Sequence, residues 1–225
     1  MAFDSAYGTR PGGWGTIEAL VTADGSAAHR MVRRLMTGVP AMRDLSDAVH
    51  ALSALHGRHP GVIDHAAGHT HQPAMLAWLG QTGQAFATER DYLARLTAAA
   101  GPMPSTPGQA ESEAAGSAQR HALDMLAQSD RAGCAVGAAI ALAVDWVAVR
   151  RVLDLAARRF GMEAAPLALP PYAETASLMT VAADTPAVER AMAFGAQQLL
   201  AQHRGLWTLL DARASARDHP ARDHH

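Results

Sequence analysis

"QAESEAAGSAQRHALDMLAQSDRAGCAVGAAIALAVDWVAVRRVLDLAARRF", residues 109–160, contains no proline and is rich in residues with high helix propensity. As a single helix it would run to about 75 Å at 1.5 Å per residue. Its presumed neighbours are half as long, so a kink or break is expected near Ser129 to Gly133. Within it, Ala132 to Val144 is apolar and uncharged, but too short and too alanine-rich to span a bilayer, and reads as a buried helix segment ending at Asp145. Gly133 and Gly137 form a small-xxx-small pair that lets another backbone approach closely. Arg158 and Arg159 fall in the last turn before Gly161, where cations oppose the helix dipole.

The flanking sequence reads the same way. A short helix is expected from Thr16 to Ala23, and Ser26 is placed to cap a helix that reaches Thr37, with Gly38 beyond its end. Met42, Leu45, Val49 and Leu52 mark a helix over 41–56. "PGVIDHAAG" predicts a short helix, and Pro73 opens a longer one to about Ala99 with the seam Leu79, Thr82, Phe86, Glu89, Leu93, Leu96. After the linker "GPMPSTPG" and the 109–160 stretch, a helix is expected over 172–182. Thr185 and Pro186 then start a last helix to about Ala214, with Met192, Leu199, His203, Leu206 and Leu210 on its inner face. No alternating pattern is long enough for a sheet, and no internal repeat is found. The expectation is an all-α, single-domain bundle of four main helices plus shorter ones over 16–214, between flexible segments at 1–15 and 215–225.

Composition agrees. Half of the residues are apolar but only 5% are aromatic, and alanine supplies nearly a quarter, so the core gains from many small contacts rather than a few large anchors. The chain has no lysine, which excludes a lysine Schiff base and a P-loop lysine. The formal charge of −2 carries no basic excess, so nucleic acid is not an expected partner, and no segment predicts a membrane span. Protonating all twelve histidines would carry the charge to about +10, so the surface field changes sign in mild acid. A single cysteine, Cys134, permits no intrachain disulfide, and "MAFDSAYGTRPGGWG" has no secretory pattern; the expected location is the cytoplasm.

Strong chemical signatures are absent: no G-x-S-x-G, H-E-x-x-H, C-x-x-C, P-loop, Rossmann fingerprint or EF-hand loop occurs. Cys134 lies in apolar surroundings and reads as an inert thiol. The arginine pairs Arg33/Arg34, Arg150/Arg151 and Arg158/Arg159 read as solvated faces and terminal charge compensation.

What remains is a set of ionisable residues on apolar faces. Glu89 lies in the seam between Phe86 and Leu93, His56 continues the Met42 to Leu52 stripe, and His203 joins the inner face of the last helix. Asp130 extends the stripe through Leu123 and Leu126. Burying such groups without partners costs several kcal/mol, so they need an explanation. One explanation is a metal centre of iron, zinc or manganese held by His56, Glu89, Asp130 and His203, with His59 and His65 as further ligands from the connecting turn. In setting carboxylates and imidazoles on facing helices it resembles the ferritin-like di-iron proteins. Their paired E-x-x-H motifs are absent, and the nearest local spacing, His121 with Asp124, is reversed.

The other explanation is structural. Six of the twelve histidines fall within residues 50–71, mostly beside Gly and Pro helix signals. Imidazoles there cover terminal carbonyls, and Glu89 pairs with an arginine from another helix, Arg43 or Arg131 for example. The function expected from the whole is binding of a partner subunit or a small ligand. A metal-binding bundle with oxidoreductase activity and a scaffolding homo-oligomer are the alternatives.

Overall fold

The structure is a computed structural model that describes residues 12–105, 108–182 and 185–218. These residues build nine α-helices and no strand. They are α1 (Gly13–Asp24), α2 (Arg30–Met36), α3 (Met42–His56), α4 (Val62–Ala66), α5 (Pro73–Ala100), α6 (Gln109–Ala127), α7 (Cys134–Arg159), α8 (Tyr172–Ala182) and α9 (Pro186–Asp218). The chain is all-α, as its periodicity predicts. Helix starts at Gly13 and persists to Asp218, so parts of both expected flexible segments are ordered helix. Residues 1–11 and 219–225 of those segments lie outside the described residues.

The proline-free stretch divides where expected, with α6 ending at Ala127 and Gly133 entering α7 at φ 90°. The α7 helix is the axis of the molecule. Ala135 to Ala143 are all buried, and α9, α3, α4 and α5 pack around it. A helix apolar on every side is one that belongs inside. Its backbone and that of α9 approach closely. A Cβ on Gly137 would lie 2.0 Å from the Met192 carbonyl oxygen, and one on Gly195 would lie 2.0 Å from that of Cys134. Glycine is required at both positions, because any side chain would drive the two backbones apart.

Several local expectations change. Ser26 does not cap a helix: it begins a 3₁₀ turn, Ser26–Ala28. The cap of α2 is His29, whose Nδ1 accepts the Met31 amide at 3.1 Å. Met42 is exposed, and the inner stripe of α3 starts at Leu45. Thr185 does cap α9, accepting the Val188 amide at 3.2 Å.

Candidate functional site

Four elements send a polar side chain into one region of the core. His56 is the last residue of α3, where Gly57 ends the helix; His203 lies mid-way along α9; Asp145 lies on α7; Ser26 opens the 3₁₀ turn after α1. All four are buried, with His203, Asp145 and Ser26 each 1% exposed and His56 6%. His56 Nε2 lies 2.8 Å from His203 Nε2, and His203 Nδ1 lies 2.6 Å from Asp145 Oδ2. Ser26 donates its amide to Asp145 Oδ1 at 2.7 Å and its hydroxyl to Oδ2 at 2.5 Å. The same hydroxyl accepts the indole N–H of Trp207 at 2.8 Å.

The protonation pattern follows from counting donors. Asp145 receives three hydrogen bonds, as an ionised carboxylate does. Burial acts to raise its pKa, but the bonds from His203 and Ser26 outweigh it and hold the carboxyl below its usual range. His203 must therefore carry a proton on Nδ1, which in the neutral ring leaves a lone pair on Nε2. His56 fills it by donating from its own Nε2. Burial pushes the His56 imidazole well below its usual pKa, which keeps that ring neutral. A neutral ring protonated on Nε2 has a bare lone pair on Nδ1. That nitrogen makes no hydrogen bond among the described residues, nor is it one of the fully buried atoms left without a partner.

His56 lines a narrow cavity of about 30 Å³ together with Arg58, Phe86, Arg120, Leu123 and Asp124. Beside it, between α3, α6 and α9, lies a cleft of about 230 Å³ with Ala51, Ala54, Leu206, Leu209 and Leu210 on its walls. Leu55 and Arg120 line both spaces. A further hollow of about 440 Å³, lined by His69, His71, Gly133 and Met192 among others, shares no residue with the histidine pair.

A second network braces the first. Trp146 and Phe86 set their rings edge-on to His56, at 5.4 and 6.3 Å between centroids. Trp146 donates its indole N–H to Glu89 Oε2 at 2.9 Å. The other oxygen of Glu89 accepts from Arg150 at 2.7 Å, and Arg150 also binds Asp154 at 2.8 Å and covers the Tyr92 ring at 4.3 Å. Burial raises the Glu89 carboxyl against the opposing pull of Trp146 and Arg150. Tyr92, buried beside Asp154, is pushed up to about 12.

Of the six residues singled out from sequence, His56 and His203 are in direct contact. Glu89 is joined to that pair only through the Trp146 ring, and its carboxylate is committed to Arg150, not to Arg43 or Arg131. Asp130 is exposed in the α6–α7 connection, because the helical phase that aligned it with Leu123 and Leu126 stops at Ala127. His59 is exposed and lies 3.3 Å from Asp64, while His65 is half-buried on α4. Among the described residues no group of three or more His, Cys, Asp or Glu side chains could hold a metal ion.

Asp145, Ser26 and Arg150 were not singled out as site residues. Asp145 had a readable signal, since Leu142 and Val149 flank it at helical spacing and place it on an apolar face. Arg150 is buried while Arg151 beside it is exposed, so the pair is not one solvated face. The contact of Ser26, 119 positions from Asp145, has no local signature.

No helix among the described residues is long and apolar enough to cross a membrane. Compared with known protein families, residues 21–218 match the model of one described as a family of unknown function, DUF6975. No curated protein and no solved structure matches the chain.

Proposed function

We propose that this chain, which belongs to the DUF6975 family, is a small-ligand-binding protein that couples ligand binding to proton movement at His56. The observation that carries the reading is the one open position in an otherwise completed network. Every heteroatom from Ser26 to His56 Nε2 has its partner, and the chain of bonds ends at His56 Nδ1 beside a cavity. Buried networks are favourable when complete, so an end left open to a cavity suits a group that arrives from outside.

The network also supports a defined movement of charge. A proton accepted at His56 Nδ1 allows the Nε2 proton of His56 to pass to His203. The positive charge then rests on His203 against the ionised Asp145, 2.6 Å away. Ser26 and Trp207 fix Asp145 so that it cannot turn away during the transfer. The edge-on rings of Phe86 and Trp146 restrict water at His56 and orient its imidazole. A cytoplasmic location fits this reading, with the single cysteine buried and unpaired.

The test is a ligand-observed NMR screen of small polar and amphipathic compounds against the full chain, followed by the ring nitrogens of His56. The reading predicts compounds that shift the His56 Nδ1 resonance and compete with one another. Binders that all leave His56 unshifted, or no binder at all, would contradict it.

A further inference from the structure

We infer that the ligand is an amphipathic monocarboxylate, its carboxylate lodged between His56, Arg58 and Arg120 and its apolar body lying along the α3–α6–α9 cleft. This inference rests on the ligand-binding reading above and names the chemical class that fits.

Three observations carry it. First, two guanidiniums line the cavity at His56, the exposed Arg58 and the half-buried Arg120, with the exposed Asp124 beside them. Neither Arg58 nor Arg120 pairs with a carboxylate among the described residues, and the one hydrogen bond of Arg120 is a long contact to Ser117 at 3.5 Å. Three other arginines that are buried or half-buried are paired, Arg150 with Glu89, Arg213 with Asp47 and Arg90 with Asp64, whereas Arg120, like Arg159, has no carboxylate partner among the described residues. Second, Arg120 is half-buried and lines both the small cavity and the larger cleft, so one guanidinium lies at the junction of a polar and an apolar space. Third, the walls of the larger cleft include Ala51, Ala54, Leu206, Leu209 and Leu210, which fit an alkyl or aryl body. A guanidinium donates two parallel N–H groups to a carboxylate, which sets the class apart from alcohols and amines.

Binding of the anion is coupled to proton uptake. The bare Nδ1 of His56 repels a carboxylate, whereas a protonated Nδ1 donates to it. One proton therefore comes from the buffer to Nδ1, the Nε2 proton moves to His203, and the added charge sits between Asp145 and the bound anion. The groups that set this balance come from every neighbouring element. Asp145 on α7 and His203 on α9 complete the network. Glu89 and Arg90 on α5 are paired, with Arg150 and Asp64. Arg120 and the exposed Asp124 lie on α6, and Arg58 and His59 in the turn after α3.

Calorimetric titration of the full chain with octanoate, 1-octanol, octylamine and acetate tests this. Octanoate is expected to bind at least about tenfold more tightly than each of the others. Repeated in buffers of different ionisation enthalpy near neutral pH, the titration should show uptake of about one proton per octanoate. Arg120→Gln should weaken octanoate by at least about tenfold and leave octanol unchanged. Equal affinity for octanol or octylamine, no octanoate binding, or an unchanged Arg120→Gln variant overturns the carboxylate class. If other compounds still shift His56 Nδ1 in the NMR screen, the ligand-binding reading survives that loss; if none does, both fall.

Discussion

The Nε2 atoms of His56 and His203 lie 2.8 Å apart, 147 residues distant in sequence, and share one proton between two buried rings. Because Asp145 fixes which nitrogen of His203 is protonated, it also fixes, one ring further on, which nitrogen of His56 is bare. A carboxylate on α7 thereby decides the chemistry available at the end of α3.

Asp145→Asn is expected to disturb both rings. An amide offers one acceptor oxygen where three donors converge, so either Ser26 or His203 loses its partner. The loss is about 2–4 kcal/mol in urea denaturation, in the range for breaking a buried charged network. A loss below about 0.5 kcal/mol, typical of surface substitutions, would show that Asp145 does not organise the site.

Stability should fall in mild acid through His56. An unfolded histidine titrates at about 6.5, and burial holds His56 well below that in the folded chain. The unfolded chain therefore takes the proton first. The contribution is complete above about pH 6.5 and is lost as pH falls toward the folded value, by up to about 1.4 kcal/mol per pH unit. His29, lowered chiefly by burial, adds a slope of the same sign. Denaturation from about pH 7.5 to 5 should give a shallower slope for His56→Gln by close to one proton; identical slopes would refute the assignment.

Arg150 should be irreplaceable even by lysine. It holds Glu89 and Asp154, donates to the Ala165 carbonyl and covers Tyr92, contacts that a single ammonium cannot reproduce. Arg150→Gln leaves Glu89 buried without its cation and is expected to cost about 3–5 kcal/mol, with Arg150→Lys recovering only part. Glu89→Gln should be milder. Thermal or urea unfolding of the three variants gives the order.

Gly137→Ala should be among the most damaging single-methyl additions in the protein. Its new Cβ would sit 2.0 Å from a backbone oxygen of α9, which has no rotamer by which to retreat. A destabilisation of about 3 kcal/mol or more is expected, whereas Gly116→Ala, whose Cβ would meet nothing, should be neutral or slightly stabilising.

The helices were legible because each carries its own apolar period and its own punctuation. Pro73 and Gly101 bracket α5, and Gly133 opens α7. Helical spacing also exposed His56, Glu89 and His203 as polar groups on buried faces, and all three are buried. Asp130 failed because a stripe was carried across a break, where the phase of one helix says nothing about the next. Asp145 carries the same spacing signal, between Leu142 and Val149, but reads first as the end of the apolar run before it. Which polar groups meet was beyond local pattern, since the contacts of Ser26 with Asp145 and of Glu89 with Arg150 depend on how α1, α5, α7 and α9 assemble.

The proton inventory of His56 is the most direct measure of the buried network, obtained by long-range proton–nitrogen correlation of the imidazole rings in ligand-free protein at neutral pH. His56→Gln identifies the resonances by their disappearance. The structure predicts that His203 is protonated on Nδ1, and that His56 is protonated on Nε2 with Nδ1 bare. A proton on His56 Nδ1 in the ligand-free protein would contradict the account.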